Sequence, residues 1–174
     1  VRVIGGEFRS RRLKTLPGLS LRPTPDRLRE ALFNVLAPTI AGSVFLDLYA
    51  GSGAVGIEAL SRGAARAIFV EKHFAAARVI RENLHALEIE DRATVVQGAA
   101  APALARFEAD IYFLDPPYTL PLEYDATLNA LGEQSGLILA QHDKRFKLKD
   151  NYGRLKRTRI LAHGDNEISF YVVS

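Results

Sequence analysis

The hydrophobic rhythm of the chain changes repeatedly, and each change marks an element. From Val44 onward, short apolar runs alternate with stretches whose apolar residues recur every three or four positions. Val44 to Leu48, Ala67 to Val70, Ala93 to Gln97, Ile111 to Leu114 and Leu137 to Ala140 have the length and side chains of strands. Residues 55–62, 74–87, 102–107 and 124–131 have helical spacing, with Ile80, Leu84 and Leu87 on one face of the longest. This alternation predicts βαβ units, and so a parallel sheet with helices on both faces. Two last runs, Leu155 to Leu161 and Ile168 to Val173, are separated only by residues 162–167. So short a link predicts an antiparallel hairpin at the sheet edge.

Ahead of the alternating region, Thr24-Pro25 reads as an N-cap followed by proline at the first helical position. Leu28, Ala31, Leu32, Val35 and Leu36 then keep helical spacing up to Pro38. Residues 1–21 hold β-type side chains broken by Gly5-Gly6 and Pro17-Gly18, which reads as a small basic hairpin. The expected organisation is an arm over residues 1–22 and a single α/β domain over residues 23–174.

Composition narrows the class. The chain has 174 residues, 48% apolar and 25% charged, which suits one soluble domain with a core of its own. Cysteine is absent, which removes disulfides, thiolate zinc sites and covalent cysteine catalysis, and favours a cytoplasmic protein. No apolar run reaches the roughly 20 residues of a membrane helix, and residues 1–21 have no apolar signal-peptide core, so no membrane partner is expected. The net charge of +3 conceals an asymmetry: residues 1–29 carry eight Lys or Arg against two acids, and residues 141–159 again eight against two. Basic arms around an acidic middle suit a phosphate-bearing partner, although charge alone also suits ordinary solvated faces.

The first expected strand runs into Asp47-Leu48-Tyr49-Ala50-Gly51-Ser52-Gly53-Ala54-Val55-Gly56, followed directly by a helix. Gly51 and Gly53 permit a tight turn and a close ligand approach, and Gly56 permits close packing of helix on strand. A nucleotide-like cofactor at the C-terminal edge of the sheet is implied. Asp47 puts a negative charge where a dinucleotide's pyrophosphate would lie, so a cofactor with a cationic end fits better. Glu71, closing the second strand, stands where a carboxylate accepts hydrogen bonds from ribose hydroxyls.

After Ile111 to Leu114 comes Asp115-Pro116-Pro117-Tyr118. Consecutive prolines hold the preceding carbonyls in a preset direction. Rigid acceptors suit methylation of an exocyclic base amine, whose lone pair is delocalised into the ring. Accepting its N–H protons on the Asp115 carboxylate and the Pro116 carbonyl favours a pyramidal nitrogen aimed at a methyl donor. Tyr118 offers a face on which a splayed-out base can stack.

Together these residues resemble the amino-methyltransferase branch of the Rossmann-like S-adenosylmethionine-dependent enzymes. More narrowly, the chain resembles the bacterial small-subunit ribosomal RNA methyltransferase D family, over almost its full length. The stretches that narrow it are residues 2–6, residues 21–34 with Arg22-Pro23-Thr24-Pro25-Asp26-Arg27, residues 46–56, Glu58 to Ala64, Phe69 to Lys72, Arg81 to Leu84 and Phe113 to Tyr118. The resemblance implies a seven-stranded, mostly parallel sheet with a reversed last strand, and methylation of a guanine N2 amine in 16S ribosomal RNA. It implies S-adenosylmethionine as cofactor and no metal. Thr24 and the loop residues Asp47, Tyr49, Ala50, Gly51, Ser52 and Gly53 would meet its methionine part. Glu71 would lie at its ribose, Lys72 next to it is a further cofactor-binding residue, and Gln97, Gly98 and Ala99 would lie by its adenine.

The basic start, Arg2, Arg9, Arg11, Arg12, Lys14 and Arg22, would lie against RNA, either ribosomal RNA or an assembling small subunit, with a monomer as the expected state. The family often has Asp where this chain has Ala99, so a backbone group or Gln97 must serve the adenine. His73 stands where an Asp cap is common, and Gln141 where Glu is common. Two other readings stand beside this one: a DNA adenine-N6 methyltransferase using the same tetrapeptide, and a non-catalytic RNA-binding module on the same fold. His85, His142 and His163 have no metal-ligand spacing, and packing or surface roles are expected for them.

Overall fold

The computed structural model of the protein describes residues 1–17, 24–117 and 121–174. Helix α1 (Asp26–Ile40) precedes β1 (Val44–Asp47), α2 (Ala54–Ser61), β2 (Arg66–Glu71) and α3 (Phe74–Ala86). Then come a 3-10 turn (Glu90–Arg92), β3 (Ala93–Gln97), α4 (Ala100–Arg106), β4 (Ile111–Leu114), α5 (Pro121–Leu131) and β5 (Leu137–Asp143). The chain ends with β6 (Asn151–Tyr152), β7 (Leu155–His163) and β8 (Asn166–Val173).

These strands form one sheet in the order β3-β2-β1-β4-β5-β8-β7-β6. The first five are parallel, and β8 runs antiparallel to both β5 and β7. The seven strands read from the sequence are all present, and the last is the reversed one, inserted between β5 and β7. An eighth, two-residue strand, β6, extends the hairpin edge by pairing with β7. Two residues, one exposed and one buried, carry no periodicity to read.

Alternate residues of each parallel strand enter different cores. Phe45, Phe69, Phe113 and Leu139 pack with Leu28, Leu32, Ile57, Ile80 and Leu84 of α1, α2 and α3. Leu46, Val70, Tyr112, Leu114 and Ile138 pack with Ala103, Leu104, Leu128 and Leu131 of α4 and α5. A sheet buried on both faces explains why its strands read as continuous apolar runs. Strand order reverses at β1: α2 and α3, which follow β1 and β2, lie on one face, and α4 and α5, which lead into and out of β4, lie on the other, so a crevice opens between the carboxyl ends of β1 and β4.

Two local expectations are corrected. Pro25, not Thr24, is the N-cap of α1, and it makes no side-chain capping bond. The Thr24 hydroxyl donates instead to Gln141 Oε1 at 2.8 Å, a partner 117 positions away. Helix α1 also runs through Pro38 to Ile40. Proline in the last turn removes a single helical bond, and Ile40, 3% exposed, keeps that turn packed.

The N-terminal arm closes on one antiparallel bridge, Arg2 with Arg12, and buries Val3 and Leu13 in the core over α1 to α3. It is held to α2. Ile4 N–H and Gly5 N–H each donate to the Glu58 carboxylate at 2.9 Å, and Phe8 N–H donates to Ser61 Oγ at 2.9 Å. A Cβ on Gly6 would lie 2.0 Å from the Ser61 carbonyl oxygen, so the arm presses its backbone directly on the helix.

Candidate active site

The carboxyl ends of β1, β2, β3 and β4 bring most of the singled-out residues to one lip of the sheet. Gly51 and Gly53 take left-handed backbone, with φ of +58° and +83°, to turn the chain from β1 into α2. Gly56 follows in the first turn, where a Cβ would sit 2.3 Å from the ring of fully buried Phe69. Only glycine lets α2 lie this close to β2.

In a dinucleotide site the amides of this loop face phosphate. Here acids take them. Gly51 N–H donates to Glu71 Oε1 at 2.8 Å, and Gly56 N–H to Asp47 Oδ2 at 3.3 Å. Glu71 Oε2 accepts a second bond from His73 N–H at 2.8 Å, which supplies the cap that the His73 side chain does not. Lone pairs remain on the Glu71 carboxylate for a hydroxyl-bearing ligand. Gly98 N–H donates to the Glu71 carbonyl at 2.9 Å and Gln97 Nε2 to the Lys72 carbonyl at 2.9 Å, so the turns after β2 and β3 are tied together.

Asp47 is 1% exposed, and its pKa is pushed up to about 8. Burial is the main cause; the Gly56 hydrogen bond opposes it, and the charges of Asp115 and Glu71 add to it. Three acidic side chains therefore share one lip, and a cationic ligand group there would favour their ionised forms. The folded protein holds the Asp47 proton up to about pH 8, whereas the unfolded chain releases it near the ordinary value of 3.8. The stability due to this proton is fully present below pH 3.8 and is lost as pH rises to about 8. Asp47→Asn, which keeps an acceptor for Gly56, should accordingly flatten stability between pH 5 and pH 8, where each unit is worth at most about 1.4 kcal/mol. Urea unfolding at both pH values checks this; equal pH dependence in the two proteins would show that Asp47 is already ionised.

Tyr49 faces α5 rather than open solvent. Its hydroxyl lies 2.8 Å from Glu123 Oε2 and 2.9 Å from Thr127 Oγ1. Burial raises the phenol above its usual range, the Thr127 bond opposes this, and Glu123 reinforces it. Tyr49 thus pins the glycine loop to the helix that follows the tetrapeptide.

Asp115 lies half-buried beyond β4, Pro116 is buried and Pro117 exposed. Leu114 pairs with Ala140 in β5, so Asp115 leaves β4 beside Gln141, which is still within β5. Gln141 is itself buried: its side chain accepts from Thr24, and its carbonyl accepts from Tyr124 Oη at 2.6 Å. Tyr118 and Arg22 lie outside the described residues. Ala99 is exposed and is the N-cap of α4. Thr24, Asp47, the glycine loop, Glu71 and Asp115 are thereby gathered along adjacent strand ends.

The other basic residues of the arm, Arg2, Arg9, Arg11, Arg12 and Lys14, are exposed over α2 and α3. Three polar residues hold the site together through contacts that were not read from the sequence. Glu58 anchors the arm, Gln141 holds Thr24, and Asn83 bonds both Lys14 and the Ser52 carbonyl. Asn83 and Gln141 interrupt otherwise apolar faces, and that interruption was the signal available. His142 has a packing role, with Nδ1 3.0 Å from the Phe146 carbonyl and Nε2 2.9 Å from Ser169 Oγ. Among the described residues no group of three or more His, Asp or Glu is placed to hold a metal ion.

The family model described as conserved hypothetical protein 95 matches residues 1–172. "Putative rRNA methyltransferase YlbH" of Bacillus subtilis (strain 168) is 39% identical over 185 residues, covering 98% of each chain. Ribosomal RNA small subunit methyltransferase D of Escherichia coli (strain K12) is 42% identical over 139 residues, covering 79% of this chain and 69% of that protein. The solved structure described as "Putative methyltransferase yhhF from Escherichia coli" superposes with a TM-score of 0.86 at 34% identity, covering 100% of this chain and 98% of that one. The sheet is thus of the Rossmann-like methyltransferase type.

Proposed function

The chain belongs to the conserved hypothetical protein 95 family, and from that membership and the acidic lip we propose that it methylates ribosomal RNA with S-adenosylmethionine as donor, at the exocyclic N2 amine of a guanine in the small subunit. The relatives named for ribosomal RNA methylation support the coarser part, the methyl transfer to ribosomal RNA. Guanine N2 is the finer part, and it rests on the Asp115-Pro116 acceptors and the resemblance in sequence.

The observation that carries the reading is the use of loop amides by acidic side chains. With Gly51 and Gly56 bonded to Glu71 and Asp47, the crevice favours a cation over a pyrophosphate. The residues present fit S-adenosylmethionine: Asp47, Thr24 and the loop Tyr49 to Gly53 would hold its methionine part, Glu71 and Lys72 its ribose, and the turn Gln97 to Ala99 its adenine. Bound there, it supplies an electrophilic methyl group. The Asp115 carboxylate and the Pro116 carbonyl accept the two N–H bonds of the target amine and turn its lone pair out of conjugation. Tyr118 stacks on the base. Asp115 need not be a strong base, because the proton leaves a nitrogen that methylation has made cationic.

The short basic arm beside the sheet suits a substrate selected by its folded shape rather than read base by base. Incubating the protein with unmethylated small ribosomal subunits and methyl-labelled cofactor, then digesting to nucleosides, should give N2-methylguanosine. Label in DNA adenine alone, or in no nucleic acid, would overturn the reading in favour of a DNA enzyme or a binding module.

A further inference from the structure

The arm and α3 are joined more tightly than a tail on a surface requires. Asn83, 3% exposed, accepts Lys14 N–H at 2.8 Å and donates from Nδ2 to the Lys14 carbonyl at 3.1 Å, so it grips both sides of one residue. The same Nδ2 lies 3.4 Å from the Ser52 carbonyl in the glycine loop. In the same last turn of α3, Arg11 Nη2 reaches the Ala86 carbonyl at 3.3 Å. Arm and helix therefore present one fixed surface.

That surface is concave and basic. Between Lys14 and the outer face of α3 lies a cleft of about 430 Å³, edged by Arg78, Arg81 and His85 with Glu82 and Glu90. Glu82 is shared: Lys14 Nζ and Arg78 Nε each lie 3.3 Å from it. Those two side chains are 69% and 72% exposed, so both pairs are weakly held and either cation can turn to another anion. The Arg81 guanidinium reaches a carbonyl, that of Val95 at 3.4 Å, and not a carboxylate. Lys14, Arg78 and Arg81, with Arg11 beside them, thus face two acids, one of which, Glu90, lies 3.0 Å from His85 Nδ1.

We propose that this cleft binds the phosphodiester backbone of the substrate RNA, extending the RNA-binding surface from the arm onto α3. The inference rests on the ribosomal RNA reading above and names a surface for it. A backbone seated here lies against Lys14, which buried Asn83 ties to the Ser52 carbonyl of the glycine loop, and so on the side of the arm nearest the cofactor lip. Arg78 and Arg81 act by charge on phosphates, not on the reacting atoms.

The test is the double variant Arg78→Glu/Arg81→Glu, titrated against unmethylated small-subunit ribosomal RNA between low and moderate salt. Each lost phosphate contact should reduce the slope of log affinity against log salt by about 0.7 to 0.9, so a reduction of about 1 to 2 is expected. In turnover, KM for RNA should rise roughly tenfold with kcat nearly unchanged, and cofactor affinity should stay at the wild-type value. A wild-type slope and KM in the variant would overturn the proposal. So would Arg78→Lys/Arg81→Lys losing as much slope as the glutamate pair, since lysines keep the charge. Binding is read independently of turnover. A wild-type protein that binds RNA but transfers no methyl group to it refutes the functional reading, while the salt slope still decides the surface.

Discussion

Asp115→Ala is expected to reduce methyl transfer by about a thousandfold or more while cofactor affinity changes by less than about threefold. The asymmetry follows from position. Asp115 stands at the end of β4, whereas the loop and acid expected to hold the cofactor stand at the ends of β1 and β2. Removing its charge takes one negative group from the lip and also lowers the repulsion on Asp47, so any change in cofactor binding should be small and toward weaker binding. The loss at the amine is large because Asp115 is the acid that directly follows β4, and the neighbouring residue of β5 is Gln141, already engaged by Thr24. Asp115→Asn should recover part of the activity, since one acceptor oxygen remains. Single-turnover transfer of a labelled methyl group, with calorimetry for the cofactor, separates the two effects. Alanine-variant turnover within tenfold of wild type would remove Asp115 from the chemistry.

What could be read in the sequence is what repeats locally. The parallel strands announced themselves because they are buried on both faces, and the helices because α1 and α3 bury one stripe. The glycine loop and Asp115-Pro116 were legible because each is a contiguous stretch whose chemistry depends on residues next to one another. The contacts that were missed have no such signature. Thr24 looked like a helix cap, yet its hydroxyl found Gln141, because a buried tertiary acceptor displaced the local one. Tyr49 was expected at the cofactor, and its hydroxyl is shared between Glu123 and Thr127, more than 70 positions on. Arg29 read as one more charge of a basic N-terminal region, and it is fully buried. Periodicity reports which face is covered, not which polar group is covered along with it.

Glu58→Ala is the substitution expected to destabilise the fold most, by about 3 to 5 kcal/mol, because it leaves a buried cation without its partner. Both Glu58 and Arg29 have side chains with 0% exposure, Arg29 Nε lying 3.5 Å from Glu58 Oε1. Burial lowers the Arg29 pKa below its usual value, yet a guanidinium keeps its charge in any ordinary protein setting. Its Nη2 donates to the Arg2 carbonyl at 2.5 Å and to Asp26 at 3.3 Å, while Nε and Nη1 have no hydrogen-bond partner. The same carboxylate accepts Ile4 and Gly5 amides and Arg62 Nε at 2.8 Å, so its removal also frees the arm from α2. Urea unfolding should show the loss, and amide exchange at Ile4 and Gly5 should rise before global unfolding. If the charge is the cause, Arg29→Met in the same chain should restore part of the stability without restoring protection at those amides. A loss below about 1 kcal/mol in Glu58→Ala would mean that Arg29 reaches water or Asp26 unaided, and that the arm is held by Ser61, Val3 and Leu13 instead.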